Sequence, residues 1–427
     1  MEEKLSDLST RDRAIIWHPC TQHKVDPHPI PIVRAESTYL FSDKGERYID
    51  ATSSWWSNIH GHAHPYIAKK IAEQAMTLEH VMFADYTHEP AILLAERLSH
   101  IIPHSLKRFF FSDNGSTAIE IALKIAFQYW FNEGISQKSK VVAFKGAYHG
   151  DTFGAMSVAG KSPFNRPFWP YLFDVEFIDT PQEGFEKQSL EQLRNILEKE
   201  DVACFIFEPL VQGVRGMVMH TPEGLEQLML ECKKHNVLTI ADEVMTGFGR
   251  TGTLFACNQL QTPPDILCLS KGITGGALPL SLTICNEAIY ERFLSSERQK
   301  ALLHSHTFTG NPLGCAAGLA SLDLLLTPEC DQKRKDIETS HKNFKKNHAT
   351  RWKRCEVLGT ILALEYFTKI TTGYFNPIRD TLSRFFLDKK IVIRPFGDTV
   401  HVIPPYCISQ EDLNTIYSVL MESLEII

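Results

Sequence analysis

PPDILCLSKGITGGALPLS, residues 263–281, sets a lysine directly behind an apolar run. Residues 266–269 read as a short buried strand opened by the turn pair Pro263 and Pro264, and 272–276 read as loop. Lys271 is then either an ordinary strand-end cation, its stem packed and its amine in water, or an amine held where chemistry happens. Upstream, LTIADE (238–243) has the same construction, an apolar strand running into Asp242. Further strands at 107–112, 141–144, 175–178 and 203–208 alternate with helices expected at 66–79, 91–101, 116–132, 188–199 and 223–235. Such alternation predicts an α/β fold built on a doubly wound, mostly parallel sheet. Short strands at 39–42 and 47–51 precede it. A helix at 313–326 and strand-like pieces at 357–366, 391–394 and 400–403 follow, with no internal repeat and no low-complexity linker.

The 427 residues, 43% hydrophobic and 22% charged, have the composition of a soluble globular enzyme, long enough for a large domain with a smaller companion. A net charge of −7 gives no reason to expect nucleic acid or an anionic membrane as partner. The cationic stretch 345–354 reads as a solvated helix and turn. Ten cysteines occur without a C-x-x-C pair, several inside apolar runs, which reads as free thiols in a reducing compartment. The start is acidic and lacks a signal-type apolar segment, and no apolar run is long enough to span a bilayer. The expected location is cytoplasmic.

Four local patterns point elsewhere and fail on their surroundings. GFGRTG (247–252) fits the dinucleotide fingerprint after a strand, but no helical periodicity follows it and no acid stands about 20 residues beyond. AGKS (159–162) carries the Lys-Ser of a P-loop, yet Ala155 occupies the position of the required leading glycine. HGHAH (60–64) sets His60, His62 and His64 on one side of an extended segment, as a metal site would. Pro65 argues instead for a turn into a helix with the histidines as polar loop residues, and no metal is expected. His149-Gly150-Asp151 would suit a hydrolase relay, but no G-x-S-x-G elbow accompanies it.

The strand ends fit together better. In an open α/β sheet the carboxyl ends of parallel strands share one rim, where ligands bind. Asp242 and Lys271 both fall there. Residues 111–118 read as a strand end, a polar glycine turn and a helix start, offering free N–H groups and the Ser116 hydroxyl to an anion. One rim therefore carries a carboxylate, an amine and a phosphate seat, the three groups that pyridoxal 5'-phosphate (PLP) needs.

IADEVMTGFGRTG (240–252) followed by PDILCLSKGITGG (264–276) resembles the class III PLP-dependent aminotransferases. WHPCTQ (17–22), SSWWSNIHGHAHP (53–65), FFSDNGSTAIEIALKIAFQYW (110–130), AYHGDTFGAMSV (147–158) and IRPFG (393–397) narrow the resemblance. They are similar to the branch that aminates 8-amino-7-oxononanoate in biotin biosynthesis, in the same order over residues 15–407. The resemblance implies PLP fold-type I: a large cofactor domain at 65–315, a small α+β domain from 1–64 and 316–427, and a homodimer. It implies Lys271 as the Schiff-base lysine and general base, and Asp242 as partner of the pyridine nitrogen. Gly115 and Ser116 are matched to the phosphate-binding pair, and Tyr148 to the aromatic against the cofactor ring. In HSHTFTGNP (304–312), Thr307 is matched to a threonine that reaches the neighbouring subunit's phosphate, with His306 beside it. Relatives often carry Gly-Pro where this chain has Ser305-His306. Arg394 is matched to the arginine that pairs with a substrate carboxylate, and Trp55, Tyr148, Lys271, Ser305 and Cys20 are placed around the substrate. S-Adenosyl-L-methionine is the implied amino donor. Lysine is the alternative, because Cys20 and His401 stand where relatives carry a tyrosine or another hydroxyl-bearing aromatic. A further alternative is an ω-amino acid or diamine transaminase of the same class.

Overall fold

VACFIF (202–207) and ILCL (266–269) are apolar at every position, so neither face of these strands suits water. In the computed structural model, which describes residues 7–369 and 375–427, both lie at the centre of a seven-stranded sheet. Its order is Leu106–Ser112, Ser281–Asn286, Ile266–Leu269, Leu238–Asp242, Val202–Phe207, Lys140–Phe144, Val175–Ile178. Pairing is parallel throughout except at Ser281–Asn286, which runs against both of its neighbours. Alternate residues feed separate cores. Cys204 and Ile206 pack with Ala118, Ile121 and Ala122 of helix Gly115–Asn132. Phe205 and Phe207 pack with Leu225, Leu228 and Met229 of helix Pro222–Lys234.

The two chain ends meet. Strands Ile32–Glu36, Tyr39–Ser42 and Arg47–Asp50 form a sheet completed by Ile391–Val392, which pairs in parallel with Ile49 and Asp50. A third sheet joins Arg354–Leu358, Ile361–Glu365 and Thr399–Val402.

Several sequence expectations change here. The piece read as one strand at 357–366 is a hairpin turned at Gly359, φ 54°, where a Cβ would lie 2.2 Å from Gly252 N. Only glycine tolerates that approach. The cationic stretch is not wholly solvated: Arg354 opens a strand and pairs with Glu356 at 2.7 Å and Glu365 at 3.1 Å. Helix Pro328–His348 begins well before the helical end expected at 345, a start hidden because its buried stripe of Cys330, Arg334, Ile337, His341 and Phe344 is broken by an arginine and a histidine. The HGHAH histidines take separate structural roles. His60 bonds Ser321 Oγ at 2.9 Å, His62 bonds Asp50 Oδ2 at 2.8 Å, and His64 precedes helix Pro65–Ala75. All ten cysteines are free and eight are buried. No single helix among the described residues is long and apolar enough to cross a membrane.

Candidate active site

Asp242 pairs directly with Cys268 across the parallel register, so the two strands end level with each other and Lys271 stands three residues further on. Beside them opens helix Gly115–Asn132. Asn114 caps it by accepting from Thr117 N at 3.1 Å, while Thr117 returns a bond to Asn114 N. The first turn of this 18-residue helix, whose N–H groups have no partner within the helix, lines the same space through Gly115 and Ser116. These elements enclose a cavity of about 430 Å³ lined by Asp242, Lys271, Gly115, Ser116, Tyr148 and Trp56, among others. At Gly115 a Cβ would sit 2.6 Å from Val244 Cγ1, and at Gly150, φ 130°, 2.1 Å from Ser116 Oγ. Side chains there would fill the cradle.

The carboxylate is held from behind. Asp242 Oδ2 lies 2.7 Å from His149 Nδ1, and Oδ1 accepts from Val244 N at 3.0 Å. An ionised aspartate only accepts, so the imidazole proton sits on Nδ1. His149 Nε2 is buried with no hydrogen-bond partner among the described residues. Glu208 lies at the same rim, accepting from Tyr148 N at 3.0 Å and Gly213 N at 2.9 Å. Burial pushes its carboxyl up to about 7, with Asp242 adding to the rise and His149 opposing it.

Lys271 begins the short 3-10 turn Lys271–Thr274 with φ 47°, a left-handed conformation that a lysine adopts only when its surroundings impose it. Burial pushes its amine down to about 8, against the pull of the Asp242 and Glu208 carboxylates. Its Nζ is 4.8 Å from the centroid of the Trp56 ring. Tyr148 donates its hydroxyl to Asp151 Oδ2 at 3.0 Å, and burial raises its pKa further.

A second cavity of about 490 Å³ adjoins the first, with Trp56 lining both. Cys20, Trp55, Arg394 and His401 line this outer chamber. Arg394 Cζ lies 5.1 Å from the Trp55 ring centroid, and Nη2 donates to the backbone oxygen of Cys20 at 3.1 Å. Ser305, His306 and Thr307 line neither chamber of their own chain. Ser305 and Thr307 are exposed, and His306 bonds His304 at 3.0 Å, which in turn accepts from Lys124 Nζ at 2.9 Å.

Three further groups complete this arrangement. Glu208 closes an apolar run as Asp242 does, and that shared strand-end signal would have found it. His149 had been weighed only as part of a hydrolase relay. Arg250, inside the GFGRTG stretch, is fully buried and donates to Trp56 O at 3.2 Å and Pro404 O at 2.9 Å. No short motif announces that role.

The profile of the family "Aminotransferase class-III" matches residues 20–424. The chain belongs to the class III aminotransferases. This aminotransferase is 44% identical to the adenosylmethionine-8-amino-7-oxononanoate aminotransferase of Synechococcus elongatus, over 96% of this chain and 98% of that one. Among solved structures, the enzyme of the same name from Methanocaldococcus jannaschii superposes with a TM-score of 0.93 at 34% identity, covering 98% of each chain. An amine transaminase from an uncultivated Pseudomonas species, solved in a PLP-bound form, gives 0.85 at 27% identity over 95% of this chain and 97% of that one. The fold of this aminotransferase is accordingly PLP fold-type I. The donor set suits that cofactor: an amine, a carboxylate held by His149, and a helix N-terminus cradled by glycine.

Proposed function

We propose that this aminotransferase moves an amino group from S-adenosyl-L-methionine to 8-amino-7-oxononanoate, giving 7,8-diaminononanoate for biotin biosynthesis, with PLP in the inner chamber. The observation that carries the reading is the pairing of chambers. An amine and a carboxylate line one chamber, and the neighbouring chamber, across Trp56, presents a guanidinium. Extensive identity to relatives named for this reaction supports it.

PLP, when bound, supplies a carbonyl that amines attack and a ring that withdraws electrons. The remaining work falls to the chain. Asp242, kept in place by His149 Nδ1–H and Val244 N–H, presents negative charge to the ring nitrogen. The Gly115 and Ser116 end of the helix receives the phosphate. Lys271 Nζ, with its pKa drawn to about 8, can take a proton from the donor carbon that bears the nitrogen and pass it to the carbon on the other side of that nitrogen near neutral pH. Tyr148 and Trp55 border the path of the aliphatic chain. Arg394 meets the far carboxylate with a planar fork that matches it. Ser305, His306 and Thr307, outside their own inner chamber, serve a second copy in a homodimer, Thr307 at its phosphate. Residues 65–315 form the cofactor domain, and 1–64 with 316–427 the small one.

Borohydride treatment of the purified yellow protein should fix the cofactor on the Lys271 peptide, and Lys271→Ala should abolish both trapping and transamination. Label on another lysine overturns the assignment. Adding each donor alone and following loss of the visible band should give conversion with S-adenosyl-L-methionine. Conversion by lysine alone reassigns the donor, and conversion only by ω-amines moves the chain to another branch of the class.

A further inference from the structure

Trp56 lines both chambers, yet it is buried and its backbone is left-handed at φ 64°. A bulky residue in that region is strained and needs to be held. Arg250 holds the backbone through Trp56 O, and His401 holds the side chain: the indole Nε1–H donates to His401 Nε2 at 2.9 Å. An indole N–H only donates, so His401 Nε2 carries no proton and the ring's hydrogen is on Nδ1. Its imidazole stacks on Phe396, centroids 5.0 Å apart and planes 28° from parallel, while the Trp56 ring meets Phe396 edge-on at 5.9 Å. Burial pushes the His401 pKa down to about 3, so the acceptor persists across neutral pH. No step described above uses this histidine.

We propose that His401 is a positioning residue for amino transfer, pinning the Trp56 indole as the wall between the chambers and as the surface against the Lys271 amine. The inference rests on the proposed function in that Lys271 is taken as the reacting amine. A cation within about 6 Å of an indole centroid is stabilised by the ring. At 4.8 Å the pinned indole therefore favours the protonated amine, against the burial that disfavours it. The other charges bearing on Lys271 are Asp242, Glu208 and Arg250, with His149 behind Asp242. All of these stay intact in the test.

His401→Phe keeps a ring on Phe396 but removes the acceptor; Trp56→Phe removes the donor. The readout is the pH midpoint of trinitrobenzenesulfonate labelling at the Lys271 peptide in the cofactor-free full chain. It requires neither cofactor nor turnover, so its result is separate from that of the proposed function. Each variant should lower the midpoint by about 0.5 unit, a threefold loss of proton affinity of the order expected from one cation–π contact. The double variant should go no lower than the singles, and His401→Gln, which restores an acceptor, should return the midpoint toward wild type. In holoenzyme, His401→Phe should also raise KM for the keto acid. An unchanged midpoint, or a double-variant shift equal to the sum of the singles, overturns the proposal. Should His401→Phe fail to fold, an unchanged midpoint in Trp56→Phe overturns it equally.

Discussion

The inner chamber draws its amine, its carboxylates and its helix N-terminus from strand and helix ends between Ser112 and Ser281, whereas the outer chamber takes Cys20 and Trp55 from one end of the chain and Arg394 from the other. The inner carboxylates are buried and tied twice over: Asp242 by His149 and Val244, Glu208 by Tyr148 and Gly213. The outer groups are exposed, and Arg394 lies against an indole face and a backbone carbonyl. Fixed dipoles in a dry pocket act strongly on charge that develops during reaction. Exposed groups contribute binding more than rate. On the proposed reading, chemistry and selectivity are thereby separated in space, with Trp56 as the shared partition.

Three substitutions sharpen that division. Asp242→Asn keeps the shape at the inner rim and removes the charge. Transamination should fall about 10³-fold, near 4 kcal/mol of transition-state stabilisation, with circular dichroism unchanged; a loss under about tenfold would place the ring partner elsewhere. At the outer site, Arg394→Ala should raise KM for 8-amino-7-oxononanoate by roughly 10- to 100-fold, the cost of leaving a carboxylate without its charged partner. The visible spectrum of the holoenzyme should not move. A changed spectrum would mean that the outer guanidinium reaches the inner chemistry. The smallest effect belongs to Cys20→Ser. Arg394 is held by the backbone oxygen of Cys20, not its sulfur, so KM for either substrate should change by less than about threefold. A larger change would show that the thiol itself lies against substrate.

The inner chamber was legible because its signals are local. An apolar run ending in an acid gave Asp242, one followed by a lysine gave Lys271, and a polar glycine turn before a long amphipathic helix gave Gly115 and Ser116. The same strand-end signal marks Glu208, which follows Val202–Phe207. His401 and Trp56 are another matter: their hydrogen bond joins residues 345 apart, and nothing in either neighbourhood signals it. The reversed strand Ser281–Asn286 is hidden in the sequence because SLTICN buries two hydroxyls, Ser281 Oγ bonded to Ser112 Oγ and Thr283 Oγ1 donating to Ala118 O, where an apolar run is the usual sign of a buried strand. The start of helix Pro328–His348 is hidden because Arg334 and His341 occupy buried positions that an apolar pattern search reads as exposed.

That reversed strand also governs how the molecule is threaded. Because Ser281–Asn286 turns straight back along Ile266–Leu269, the segment bearing Lys271 never crosses beneath the sheet. It closes as a hairpin between Leu269 and Leu282. Arg394, by contrast, reaches the Cys20 carbonyl across 374 residues of chain. The entropic cost of closing a flexible loop rises by about 0.6 kcal/mol with each doubling of its length. The lysine segment is thus closed by strands adjacent in sequence, whereas the outer chamber needs the two ends of the chain to meet.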